Sequence, residues 1–258
     1  MASIEEKVED WVKDTLKSYH VRTFSKTEAI NEEIDNALKT APSKQGGTGR
    51  NMPDIQCFIQ LPNGNHIPVM IEVKGSKGKL EKLDTHNKLH NIQTSGKNAG
   101  SPLWKNINDY AANGAVHYAH AILENTTSYT HVIAIGVNDD EQNFQSSSTW
   151  KHPEISAWYV SSGNLQEPIR IDNFDFSYLS ANFLHSLQEK LRLLSLTESE
   201  RTTLTKQREN TIENSLIALN EAMHKNLQQQ KVGSFYRAGS LLQVFPLHKQ
   251  IIKGTLRY

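Results

Sequence analysis

Three side chains raise the first chemical question. Asp54 opens one strand-like run, and Glu72 and Lys74 close the next, within PDIQCFIQLPNGNHIPVMIEVKG from Pro53 to Gly75. If folding brings the two carboxylates together, they repel unless a cation sits between them. A divalent metal with oxygen ligands is a natural candidate, and the lysine would place a second positive charge beside it. The competing reading is a salt-bridged hairpin end, with Lys74 neutralising the acids at the surface. Geometry alone leaves both open.

Parity decides whether the two acids meet. Ile55, Cys57, Ile59 and Leu61 are the apolar residues of the first run, and Ile67, Val69, Ile71 and Val73 those of the second. All are odd-numbered, and directly opposed residues share a face, so odd must pair with odd. A two-residue turn at Asn63-Gly64 would mix the parities. A three-residue loop of Pro62, Asn63 and Gly64 pairs Leu61 with Asn65 and suits a type I turn followed by a left-handed residue. This register puts Asp54 opposite Glu72, with Cβ atoms about 5 Å apart. Lys74 lies one pleat further on the same face. Phe58 and Met70 on the even face imply partial cover by a helix, and hence a cleft.

The surrounding elements must hold that hairpin end. Ile4, Val8, Trp11, Val12 and Leu16 predict an opening amphipathic helix. Ser25-Lys-Thr-Glu28 has the capping-box pattern of a second helix start, with the stripe Ile30, Ile34, Ala37 and Leu38 and a stop at Pro42. Glu33 lies at the edge of that stripe. A basic glycine-rich loop, Ser43 to Asn51, leads into the hairpin. A polar stretch from Ser76 to Pro102 carries five lysines. Trp104 to Leu123 is expected as one helix, Thr130 to Val137 and Ile155 to Val160 as strands, and Ile169 to Ile171 as a short strand. The order implies a mixed sheet with helices, α/β or α+β. Beyond it come a helix over Tyr178 to Leu194 and a long helix from the capping box Thr197-Glu-Ser-Glu200 to about Gln229. The expected division is a catalytic domain at 1–175, a helical connector at 176–231 and an unassigned tail at 232–258.

Bulk properties bound the rest. The 258 residues carry 28 Lys+Arg and 28 Asp+Glu, so net charge points to no partner, although a local basic face suffices for nucleic acid. The one cysteine, Cys57, excludes a disulfide framework and reads as a small core residue. No basic-then-apolar leader and no run of membrane-spanning length is seen, so no membrane association is expected and the default compartment is the cytoplasm. Gln93-Thr-Ser-Gly-Lys97 lacks the upstream glycine and following Ser/Thr of a P-loop.

Pro53-Asp54 followed by Glu72-Val73-Lys74 resembles the PD-(D/E)xK nuclease superfamily, which includes many restriction endonucleases. The order of helix, hairpin, helix and strand matches that fold's core. Asp109-Tyr-Ala-Ala-Asn-Gly-Ala-Val-His-Tyr118 is similar to a helix in bifunctional restriction–modification proteins (type IIG or type I-like), where an N-terminal nuclease, a helical connector and an adenine methyltransferase follow one another. The resemblance runs from Ile4 to Gln229. The chain departs from it where a methyltransferase would begin: no Asn-Pro-Pro-aromatic motif follows. Either the chain is a fragment, or modification and recognition parts lie on other chains.

The resemblance implies a restriction-endonuclease-like mixed sheet and a Mg²⁺-dependent endonuclease acting on double-stranded DNA. By motif position, Asp54 and Glu72 would bind Mg²⁺, and Lys74 would orient or activate water and steady transition-state charge. Glu33 would be the acid supplied by the first core helix, with Glu32 and Glu28 as competitors. Lys44, Arg50, Lys77 and Lys97 are candidate phosphate contacts, set against their being solvated loop charges. His117 could approach the cleft, but a packing histidine is the commoner outcome. Two copies on DNA would serve double-strand cleavage. The rivals are a repair or recombination nuclease of the same fold, and a non-catalytic module that binds DNA or a partner.

Overall fold

A computed structural model describes residues 2–48, 52–141, 143 and 152–229. Arg50 and the tail at 232–258 lie outside the described residues.

Helix α1, Ile4–Ser18, starts at a capping box: the Ser3 hydroxyl accepts from Glu6 N–H at 3.2 Å, and Glu6 Oε2 accepts from Ser3 N–H at 2.6 Å. Its Val8, Val12 and Leu16 are fully buried. Each stabilises the fold by about 1.5–3 kcal/mol. The chain then forms a short edge strand, β1 (Thr23–Ser25), where the sequence predicts a helix start. Ser25 and Glu28 do make the reciprocal contact, with Ser25 N–H donating to Glu28 Oε2 at 3.0 Å and Glu28 N–H to Ser25 O at 2.9 Å, but it closes a turn. Helix α2 begins later, at Glu32–Thr40, because Asn31 supplies the cap by accepting from Ile34 N–H at 2.9 Å.

Strands β2 (Ile55–Gln60) and β3 (His66–Lys74) pair antiparallel in the register that parity requires. Ile59 opposes Ile67 and Ile55 opposes Ile71, and Leu61 N–H donates to Asn65 O at 2.8 Å. Strands β4 (His131–Asn138), β5 (Glu154–Ser161) and β6 (Ile169–Arg170) complete a six-stranded sheet in chain order. Only β3 and β4 run parallel, with Glu72 beside Gly136 and Lys74 beside Asn138. The sheet is therefore mixed and flanked by helices, compatible with a restriction-endonuclease-like fold.

Each face has its own core. Odd residues of β2 and β3 pack with α1, and with Leu187 and Leu191 of α5 (Leu184–Leu194). Met70, Ala134 and Trp158 pack on the other face with α2 and α4 (Ala111–Asn125). The helix expected over Trp104 to Leu123 is two: α3 (Trp104–Asp109) ends at Tyr110, whose φ of −120° and ψ of 135° break the helix before α4. Likewise, the helix expected from Tyr178 is a 3₁₀ turn at Phe176–Leu179 followed by α5. Burial of Leu187 and Leu191 carries the first compact unit to Ser195, beyond the expected boundary at 175. The second unit, from Leu196, contains α6 (Glu198–Gln229), opened by the predicted box at Thr197 and Glu200. No described helix is long and apolar enough to cross a membrane.

Candidate active site

Asp54 occupies the bend just before β2 and is 4 % exposed. Its Oδ2 accepts from Val73 N–H at 2.6 Å, which locks it to the end of β3. Its Oδ1 takes the Lys26 ammonium at 2.7 Å. Lys26 also reaches Glu9 Oε1 at 2.9 Å, so this ammonium bridges an α1 carboxylate and Asp54. Among the described residues, one oxygen each of Glu5, Glu9 and Asp54 lie within 4.8 Å of one another. Gly75 makes this approach possible. A Cβ there would stand 2.5 Å from the Glu5 backbone nitrogen, so only glycine admits the start of α1 at that spot.

Glu72 points to the α4 side of the sheet and is fully buried. Its Oε1 binds Lys74 Nζ at 2.9 Å and, more closely, Lys44 Nζ. On the other oxygen, the Tyr118 hydroxyl lies 3.2 Å from Oε2 and 2.9 Å from Met52 O, sharing one proton between them. Tyr118, a core residue by spacing, is thus the polar group that α4 contributes. Burial alone would raise the Glu72 carboxyl, but the Lys44 and Lys74 ammoniums outweigh it and hold the carboxyl below its usual range. Burial would lower Lys74; Glu72, helped by Glu5 and Asp54, instead raises it and keeps the ammonium charged.

The structure does not bring Glu33 to this place. Its Oε1 accepts from Thr127 N–H at 3.3 Å and Ser128 N–H at 3.2 Å, in the turn beyond the C-terminus of α4. Tyr118 touches Glu72 about two helical turns earlier. The physical reason is the start of α2 at Glu32, which aims Glu33 at that turn. The helix-borne acids beside Asp54 are Glu5 and Glu9 instead. Sequence did carry a signal for them: like charges at i and i+4 on one helix face repel unless a cation answers them. Lys44 is engaged with Glu72 and the Tyr118 ring, so it belongs to the site rather than to a free basic loop. Lys77 and Lys97 are exposed. His117 packs: its Nε2–H donates to Pro42 O at 2.8 Å, Trp104 and Tyr118 flank the ring, and burial lowers its basicity.

The Asp54 carboxyl is pushed up from an ordinary 3.8 to about 6, by burial first and then by the charge of Glu72. The folded protein therefore binds this proton more tightly than the unfolded chain does. The resulting stabilisation is complete below the unfolded value and lost as pH rises through about 6. Glu72 is held below its ordinary 4.5, so its own contribution remains intact over the upper part of this window. We expect wild type to lose up to about 3 kcal/mol relative to Asp54→Asn between pH 4.5 and 7. Urea denaturation of both proteins at several pH values measures it; parallel curves would contradict the environment described for Asp54.

The residues fit a divalent ion. The set is all carboxylate, which suits Mg²⁺, and an ammonium already takes a cation position between two of its members. Glu5, Glu9 and Asp54 would hold such an ion. Glu72 lies outside that group, its oxygens directed to Lys44, Lys74 and Tyr118.

Comparison with known proteins gives one link. The type II restriction enzyme and methyltransferase RM.BcgI of Heyndrickxia coagulans is 34 % identical over 123 residues, covering 48 % of this chain. The match spans 17 % of that protein's length. No protein-family model matches the chain. No solved structure matches it. The match relates this chain to a restriction system.

Proposed function

We propose that this chain is a Mg²⁺-dependent DNA endonuclease of restriction type, with a PD-(D/E)xK site at Asp54, Glu72 and Lys74. The observation that carries the reading is the meeting of Asp54 with Glu9 and Glu5 at the end of the strand that bears Glu72 and Lys74. Asp54 is the motif acid we assign to the ion, with Glu5 and Glu9 beside it and Glu9 in the place expected of Glu33; Glu72, the second acid of the motif, joins the site through Lys74, which it holds charged. A bound Mg²⁺ would supply Lewis acidity toward a phosphate oxygen and a more acidic water.

The chain's own groups do the rest. Asp54 is fixed by Val73 N–H, so its free oxygen is preset rather than searching. Lys74, held charged by Glu72, acts as a hydrogen-bond donor that orients water and steadies charge on the phosphate, not as a proton acceptor. Lys44, with Lys74, keeps Glu72 ionised, and the Tyr118 hydroxyl orients it. The exposed Lys77 and Lys97 would meet backbone phosphates, which positions DNA without reading its sequence.

The named relative is a restriction enzyme and methyltransferase, and the 123 matched residues span 17 % of it. We therefore assign the chain a methyltransferase or specificity part as partner, with double-stranded DNA as substrate and two copies acting on the two strands. The same match favours restriction over repair. Both motif acids and the lysine are present, which favours catalysis over an inert binding module. Supercoiled plasmid incubated with the purified chain should be nicked with Mg²⁺ and left intact with EDTA. Absence of nicking under both conditions would refute an autonomous nuclease.

A further inference from the structure

We propose that Lys26 is a tethered counter-cation that occupies the acidic site before the metal arrives and must withdraw as the ion enters. The inference rests on the metal site proposed above and adds to it a built-in competitor that sets metal affinity.

Three observations carry it. The Lys26 ammonium lies 2.7 Å from Asp54 and 2.9 Å from Glu9, bridging two of the three carboxylates that could share an ion. Two cations cannot occupy that position together. Lys26 is also placed to leave. It sits on the turn closed by Ser25 and Glu28, and its side chain is 47 % exposed, against 18 % for Lys74 and 22 % for Lys44. Swinging its stem into solvent disturbs neither core, whereas moving the other two would strip the fully buried Glu72. Finally, the charges match. Glu5, Glu9, Asp54 and Glu72 face Lys26, Lys44 and Lys74. With Lys26 withdrawn, two negative charges stand uncompensated, which is the charge of one divalent ion.

Binding of Mg²⁺ and occupancy by Lys26 then oppose each other reciprocally. Calorimetric titration of the full chain with MgCl₂, without DNA, compares wild type, Lys26→Met, Lys26→Arg and Asp54→Ala. Lys26→Met should bind Mg²⁺ about tenfold more tightly than wild type, since the ion pairs to Asp54 and Glu9 no longer have to be broken. Lys26→Arg keeps the competing charge and should stay near wild type, and Asp54→Ala should lose binding. Equal or weaker binding by Lys26→Met would overturn the competitor while leaving the metal site standing. No binding by any chain would overturn the site itself. Thermal unfolding supplies a second readout. Lys26→Gln should melt below wild type in EDTA and match it in saturating Mg²⁺; a gap unchanged by Mg²⁺ would count against displacement.

Discussion

Lys74→Ala is expected to lower Mg²⁺-dependent plasmid nicking by at least about a thousandfold, roughly 4 kcal/mol of transition-state stabilisation. The size follows from where the ammonium sits. It is 2.9 Å from Glu72 Oε1, with the charges of Glu5 and Asp54 also bearing on it, at the end of β3 where Asp54 is fixed. No other described group combines these neighbours. Lys44 is the nearest substitute, yet it approaches Glu72 from the Tyr118 side.

The same geometry predicts that the variant folds. Removing the only partner of a buried charge costs about 3–5 kcal/mol. Glu72 would still keep Lys44 and the Tyr118 hydroxyl, so the loss should fall below that range. Activity and stability therefore separate in this variant. Lys74→Arg restores the charge but not the compact ammonium, and should recover nicking only in part. Conversion of supercoiled to nicked plasmid, measured beside a thermal melt, tests both halves. Nicking within tenfold of wild type in Lys74→Ala would remove the lysine from the chemistry.

The hairpin was legible in sequence because alternation admits only one register when a face is buried. Eight apolar residues of one parity forced the three-residue loop, and with it the adjacency of Asp54 and Glu72. The supporting acids were not legible in the same way. Helical phase points to Glu33 on a helix that starts near Ser25; phase from a wrong start says little about which neighbour a side chain meets. The start moved because Ser25 and Glu28 satisfy each other equally well in a turn, and Asn31 is the better cap. The i, i+4 spacing of Glu5 and Glu9 marks a repelling pair but not the cation that answers it, and Lys26 stands inside the Ser25–Glu28 pattern without pointing to either. What brings the three together is tertiary: Gly75 admitting the backbone of α1, and β1 carrying the following turn past Asp54. Neither contact leaves a local pattern. Tyr118 shows the same limit, since core spacing and a hydroxyl set against Glu72 are compatible in one residue.

Gly136→Ala should be the most destabilising small substitution in the first unit, because the obstruction is backbone on both sides. A Cβ at Gly136 would lie 2.3 Å from Ala112 N, 2.7 Å from Ala112 Cα and 2.9 Å from the Ala111 carbonyl carbon. No rotamer change relieves this; the first turn of α4 has to lift from β4. That turn is tied down as well, with Ala111 N–H donating to Lys79 O at 2.9 Å and Ala112 N–H to Leu80 O at 2.8 Å. Lifting it strains these bonds and opens the contact between small residues that lets helix and sheet approach. Overpacking of this kind costs about 3 kcal/mol. For a unit this size that lowers Tm by about 6–12 °C. The site should suffer with the fold. Gly136 is the parallel neighbour of Glu72, and Tyr118, two turns into α4, holds that carboxylate. Gly163→Ala is the control: the nearest atom to its added Cβ is 3.8 Å away, and stability should change by no more than about 0.5 kcal/mol. If both alanine variants melt with wild type, α4 is not seated on β4 as described, and the placement of Tyr118 against Glu72 falls with it.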